Sequence, residues 1–368
     1  MPQLALTLTE SVTQAGCILG LDHPGTLASH SNLAYAYQES GRLDDAIPLF
    51  ERNLSDFIRV LGPHHPDTLT SRNNLAGAYQ AAGRLDDAIP LLEQTLEDRT
   101  RILGPHHPHT LTSHSNLAGA YQESGRLDDA IPLLEQTLED RTRILGPHHP
   151  HTLTSHSKLA GAYRDAGRLD DAIPLFERNL EDSTRILGPH HPHTLTSHSK
   201  LAGAYQESGR LDDAIPLLEQ TLEDSTRILG PHHPHTLASR HNLAGAYQAA
   251  GRLDEAIALY EQTLKDFKNL LGPNHPLTLA SRHNLAGAYR DAGRLDEAIA
   301  LYEQTLEDST RILGPHHPHT LASHSKLASA YRAAGRIEEA KALFETPSGS
   351  EEDEQDGTEE DLDQETGD

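Results

Sequence analysis

A single register runs through this chain. A His-Pro dipeptide places its proline at Pro24, Pro66, Pro108, Pro150, Pro192, Pro234, Pro276 and Pro318, 42 residues apart each time. Tyr37, Tyr79, Tyr121, Tyr163, Tyr205, Tyr247, Tyr289 and Tyr331 keep the same step, as do Gly41, Gly83 and their successors ahead of arginine. Eight registers without insertion or deletion mean a copied unit, and copies of this length stack into a solenoid. Several compact cores are excluded on a second ground: apolar residues make up 36% of the chain, aromatics 4%, and tryptophan is absent. That supply suits thin, repeated interfaces packed with small side chains.

The repeat at 66–107 shows the elements. Pro66 suits the first position of a helix, where its missing N–H would be unpaired anyway. Leu69, Leu75, Ala76 and Tyr79 then share one helical face. Gly83 ends that helix in a positive-φ conformation. A second helix starts near Leu85, with Asp86 and Asp87 at its positive dipole end. Its apolar positions are Leu85, Ala88, Ile89, Leu92, Leu96 and Leu103, and Gly104-Pro105 stops it. Pro90 falls inside this helix and reads as a tolerated kink; its counterparts Ala258, Ala300 and Ala342 predict straighter helices in the later repeats. Two antiparallel helices have no second layer of their own, so neighbouring repeats must supply it. The expected fold is all-α, a right-handed superhelical solenoid of about eight antiparallel helix pairs.

Charge divides the chain further. Residues 351–368 carry eleven acids, no base and one apolar residue, Leu362. Such a segment cannot offset its ordering entropy, so 347–368 reads as a disordered acidic tail. Its Glu352, Glu354, Asp356, Gly357 and Asp363 fit a calcium loop poorly and are read as solvated charge. The solenoid is expected over 21–346. In the register, Leu4 falls opposite Ala88, so 1–20 reads as a half repeat forming a single capping helix. Weak caps at both ends favour self-association. The formal charge of −25 excludes a nucleic-acid partner and an anionic membrane surface. Met1–Gly20 lacks the basic start and apolar run of a secretory signal, and the reading is a cytoplasmic protein. Cys17 is the only cysteine and lacks a basic neighbour, so it reads as an inert thiol.

Asn74-Leu75-Ala76, Tyr79, Gly83-Arg84-Leu85-Asp86, Ala88 and Leu92 together resemble the tetratricopeptide repeat. The 42-residue length and the Leu103-Gly104-Pro105-His106-His107-Pro108 junction are similar to the long variant of kinesin light chains, arrays of which occur in many bacterial proteins. The resemblance covers about 4–346. Two departures make the core more polar: Thr95 stands late in the second helix, and Arg72 or His114 stands where an aromatic or leucine is common.

The resemblance implies that first helices line a concave groove for an extended peptide or partner domain. Candidate groove residues form one ladder of Asn32, Asn74, Asn116, Lys158, Lys200, Asn242, Asn284 and Lys326. A second runs through Gln80, Gln122, Arg164, Gln206, Gln248 and Arg290. Asn and Gln both donate and accept, so they pair with any peptide backbone. Lys158, Lys200 and Arg164 add a positive spot suited to carboxylates. The near-identical repeats leave no readable specificity. A rival reading is a sensor arm of a larger nucleotide-binding signalling ATPase. Phosphate-binding and nucleophile motifs are missing, and a surface repeated eight times offers no unique pocket, so the expectation is no enzyme and no cofactor. The junction histidines lack an acid at ligand spacing, so no metal site is expected. Side-by-side pairs such as His106 and His107 predict a pH-dependent stability whose sign the sequence leaves open.

Overall fold

The computed structural model describes residues 17–20 and 22–345. Most of the expected capping segment and the acidic tail lie outside the described residues. The chain forms two compact units that divide between Gly230 and Pro231, within the span read as one solenoid from sequence. The first contains α1 (Pro24–Glu39), α2 (Leu43–Leu61), α3 (Pro66–Ala81), α4 (Leu85–Leu103), α5 (Pro108–Glu123), α6 (Leu127–Leu145), α7 (Pro150–Asp165), α8 (Leu169–Leu187), α9 (Pro192–Glu207) and α10 (Leu211–Leu229). The second contains α11 (Pro234–Ala249), α12 (Leu253–Leu271), α13 (Pro276–Asp291), α14 (Leu295–Leu313), α15 (Pro318–Ala333) and α16 (Ile337–Glu345). Within each unit every helix packs on the next, so the fold is an all-α solenoid of stacked helix pairs. None of these helices is long and apolar enough to cross a membrane.

The boundaries follow from local chemistry. His65 precedes Pro66 with extended backbone, and its Nδ1 accepts the Asp67 N–H at 3.2 Å. It thus does the work of a Ser or Asp N-cap, satisfying a donor the helix cannot. Thr68, fully buried, donates its hydroxyl to the Gly62 carbonyl at 2.8 Å and ties the helix start to the preceding helix end. At the other end Gly83 has φ +71°, while Arg84 N–H reaches Tyr79 O and Gly83 N–H reaches Gln80 O. This is the paired closure of a Schellman motif. Pro90 lies within α4, yet α4 and the proline-free α12 are both 19 residues long, so the proline does not end its helix.

The Tyr-Gly-Arg-Asp beat has a structural cause. The Arg84 guanidinium lies over the Tyr79 ring at 4.4 Å and its Nε donates to Asp87 at 2.8 Å. Tyr79 donates its hydroxyl to Glu51 of the preceding repeat at 2.6 Å, and burial followed by that bond pushes it up to about 12. One tyrosine therefore fastens the turn within its repeat and the repeat to its neighbour.

The core is made of small and medium residues. Ala76 and Ala88 are fully buried, with Leu75, Ile89 and Leu92 around them. Two of the polar departures, Thr95 and Arg72, are paired. Thr95 donates to Leu91 O at 2.7 Å inside its own helix. Arg72, only 3% exposed, bonds Asp98 at 2.8 Å. Burial opposes ionisation of Asp98, but the bonds from Arg72 and Arg101 outweigh it and hold the carboxyl below its ordinary range.

Candidate functional site

The two ladders lie on the first helices, where consecutive repeats approach. Many members are engaged with the neighbouring repeat. Asn116 donates to Asn73 at 2.9 Å, Lys158 to the Ser115 carbonyl at 3.2 Å and Lys200 to the Ser157 hydroxyl at 2.7 Å. Asn284 bonds His241 at 3.0 Å. In the second ladder Gln80 donates to Glu123 at 3.4 Å, Gln122 to Asp165 at 2.5 Å and Gln248 to Asp291 at 2.6 Å. Arg164 pairs with Asp165 at 3.3 Å and lies 3.8 Å from Glu207, while Arg290 pairs with Asp291 at 2.7 Å. Asn32 and Lys326 are exposed, and Asn74, Asn242 and Gln206 half-buried. Many residues of these ladders therefore bridge repeats, a role the sequence reading omits. It also omits the acids Glu123, Asp165, Glu207 and Asp291, which follow the second ladder by one position and lower the net charge of this face.

Three surface cavities occur at the same place in the repeat, each walled by a first helix, its second helix and the next first helix. The first, of about 310 Å³, includes Lys158 and Lys200 on its wall with Leu153, Asn179 and Ser183. Another, of about 660 Å³, is lined by Asn242, Leu237, Phe267, Leu270 and Leu277. The last, of about 160 Å³, is lined by His283, Asn284, Ser309 and Ser323. Ladder residues thus line every one of these cavities.

One position sets what each cavity holds. Along the register it reads Phe57, Arg99, Arg141, Ser183, Ser225, Phe267 and Ser309. Arg99 reaches from α4 to Ser113 Oγ at 2.9 Å and the His109 carbonyl at 3.3 Å, filling the corresponding place with its guanidinium. Arg141 does the same toward Ser155 and His151 O. At Ser183 and Ser309 the space stays open; where Phe267 replaces arginine, with Leu277 52% exposed, the wall becomes apolar. The repeats differ from one another at this position, which the sequence reading does not single out. The signal was available: Arg, Ser and Phe alternate there while flanking positions hardly change.

The junction histidines also have partners that spacing along the chain hid. His64 Nδ1 lies 3.3 Å from Asp98, His106 3.1 Å from Asp140 and His148 3.0 Å from Asp182. The acid stands 34 residues on, brought over by the second helix. No group of three or more His, Cys, Asp or Glu among the described residues is arranged to hold a metal ion.

Comparison with known proteins agrees with this architecture. A family model described as tetratricopeptide repeat matches residues 25–99, 71–143, 110–178, 151–223, 195–269, 241–308 and 283–346. A Podosopora anserina structure, described as a kinesin light chain with nearly identical TPR-like repeats, is 36% identical. The match covers 56% of this chain and 97% of that one, with a TM-score of 0.51. The quorum sensor NprR of B. thuringiensis shares the fold at 15% identity, over 87% of this chain and 85% of that one, with a TM-score of 0.64. A signal transduction ATPase with a tetratricopeptide repeat sensor, from Pyrococcus horikoshii, matches 92% of this chain at 16% identity and a TM-score of 0.59; the match spans 51% of that protein. The comparison with curated proteins found no match. The chain belongs to the tetratricopeptide repeat family.

Proposed function

We propose that this protein is an interaction scaffold that binds an extended peptide or a partner domain along its first-helix face. It acts by binding rather than catalysis, in the cytoplasm, as an array of the kinesin-light-chain type. The observation that carries the reading is the coincidence of the asparagine–lysine ladder with the inter-repeat cavities. Asn242 and Asn284 in the second unit, and Lys158 and Lys200 in the first, each stand on a cavity wall. Backbone-pairing groups beside side-chain-sized recesses are what an extended segment needs: hydrogen bonds for affinity, recesses for selection.

The test is a screen of short extended peptides against the full chain, followed by alanine at Asn74, Asn116, Asn242 and Asn284. Affinity should fall about tenfold or more, the effect of losing two or three net hydrogen bonds. Stability should fall as well, because Asn116 and Asn284 bridge repeats. Unchanged affinity in the fourfold variant would sink this reading.

The second reading, a sensor arm of a larger nucleotide-binding ATPase, is supported by the fold shared with the Pyrococcus protein over 92% of this chain. The intact mass of the native polypeptide separates the two. A mass matching 40.3 kDa supports the free scaffold, and a much larger one the sensor arm.

A further inference from the structure

The cavity between α7, α8 and α9 differs from its counterparts in charge. In the two preceding repeats the cation on this face is a plug: Arg99 and Arg141 lie buried and bonded to the next first helix. At α8 the plug is gone, replaced by Ser183, and two cations appear on the rim instead, Lys158 and Lys200. They are two of only six lysines in a chain of 24 arginines.

No carboxylate among the described residues pairs with either ammonium. Lys158 donates to a carbonyl and Lys200 to a hydroxyl. The surroundings make this costly. Burial, then Arg141 and Lys200, push half-buried Lys158 down against the opposing pull of Glu123, and burial, then Arg164, push Lys200 down at the exposed rim. Two like charges are held at one cavity with no carboxylate in direct contact, and each ammonium has three N–H groups, of which one is used. The Ser157 hydroxyl accepts from Lys200 and keeps its own proton to donate.

We propose that this cavity binds the phosphoryl group of a phosphorylated peptide, an inference that rests on the partner-binding reading above. Charge favours the phosphoryl group over a single carboxylate. A phosphomonoester carries about −1.5 to −2 at neutral pH and three strong acceptor oxygens. It sets charge against both lysines at once, half-buried Lys158 and exposed Lys200, whereas one carboxylate balances only one of them. The space of about 310 Å³ admits the ester oxygen and its methylene with the phosphoryl group. Leu153 and Leu187 supply an apolar wall for the carbon.

The experiment uses the full chain and three matched sets of short extended peptides, with phosphoserine, serine or glutamate at the centre, followed by fluorescence anisotropy. The phosphoserine set should bind about tenfold more tightly than either other set. Millimolar inorganic phosphate should compete with it. Two variants borrow residues from sibling repeats, so the fold already accommodates them. Lys158→Asn with Lys200→Asn restores the usual ladder, and Ser183→Arg restores the plug seen at Arg141. In both, phosphoserine peptides should bind no more tightly than serine peptides bind to the same variant.

Equal binding of phosphoserine and serine peptides overturns the phosphoryl assignment and leaves the scaffold reading standing. Equal binding of phosphoserine and glutamate peptides assigns the cavity to carboxylates and overturns it too, as does a phosphoserine preference that survives in both variants. A single-stranded RNA that binds more tightly than the phosphopeptides overturns it in favour of a phosphodiester. If no peptide set binds at all, both readings fail together.

Discussion

At the scale of the residue, the register that made the fold readable also concealed the polar core. Arg72, Arg240 and Arg282 pair with Asp98, Asp266 and Asp308 at 2.5–2.8 Å, and His114, His156 and His198 occupy the same position in other repeats. There the pairing is incomplete: Nδ1 of all three histidines, and Oδ2 of Asp140 and Asp182, are buried without a partner. Burial pushes all three imidazoles below their ordinary range; Arg141 adds to this at His114 and Arg178 at His156, while the nearby aspartates oppose it. A histidine whose folded pKa is depressed contributes stability present above the unfolded value, and that stability is lost as pH falls. Burial of these three histidines gives the expected sign that the sequence leaves open. The thermal midpoint should fall between about pH 7.5 and about pH 5.5. Arginine at His114, His156 and His198, as in the sibling repeats, should raise the midpoint at the higher pH and shrink the fall. A triple variant with an undiminished fall would show that these three histidines do not carry the dependence.

At the scale of the element, proline and glycine made the boundaries legible because their constraints act on their own backbone. Pro66, Gly83, Leu85 and Gly104 mark ends where the structure has them. The histidine caps were not legible, because the role belongs to a lone pair on a side chain rarely used that way. The three cavities were not legible either, since each is set by residues on three helices. Two glycines of one repeat predict opposite effects of alanine. At Gly83, φ is +71° and a Cβ would meet nothing within 4 Å, so the cost is purely conformational, about 1–2 kcal/mol. Gly77 lies inside α3, and a Cβ there also meets nothing within 4 Å. Alanine at Gly77 should stabilise by about 0.5–1 kcal/mol through reduced freedom of the unfolded chain. Chemical denaturation of the two single variants should give midpoints on either side of the parent; two shifts of the same sign would show that α3 does not end as described.

At the scale of the whole molecule, the period was legible in full but the division at Gly230 was not. The junction there, Gly-Pro-His-His-Pro, is identical to those at 104, 146 and 188, so no local signal distinguishes it. What the period does predict is interchangeability, and the contacts give that idea a residue-level form. Deleting 109–150 joins Pro108 to His151 and sets α4 against the rest of α7. Arg99 then meets His151 O and Ser155, the partners that Arg141 has now. Tyr163 finds Glu93 in place of Glu135, and His106 takes the place of His148 beside Asp182. Every class of inter-repeat contact is rebuilt, and the loss is one repeat and one interface. The His114–Asp140 site, with its unpartnered atoms, leaves with the deleted segment, so the loss of stability should be smaller than an average repeat supplies. The deletion variant should keep its helical circular dichroism per residue and unfold at a modestly lower midpoint. Loss of most of the helical signal would show that the repeats depend on more than their nearest neighbours. The phosphopeptide cavity lies beyond the deleted segment, but Lys158 would rest on the carbonyl of Asn73 instead of Ser115. Retained phosphoserine preference in the deletion variant would show that the cavity needs only α7, α8 and α9.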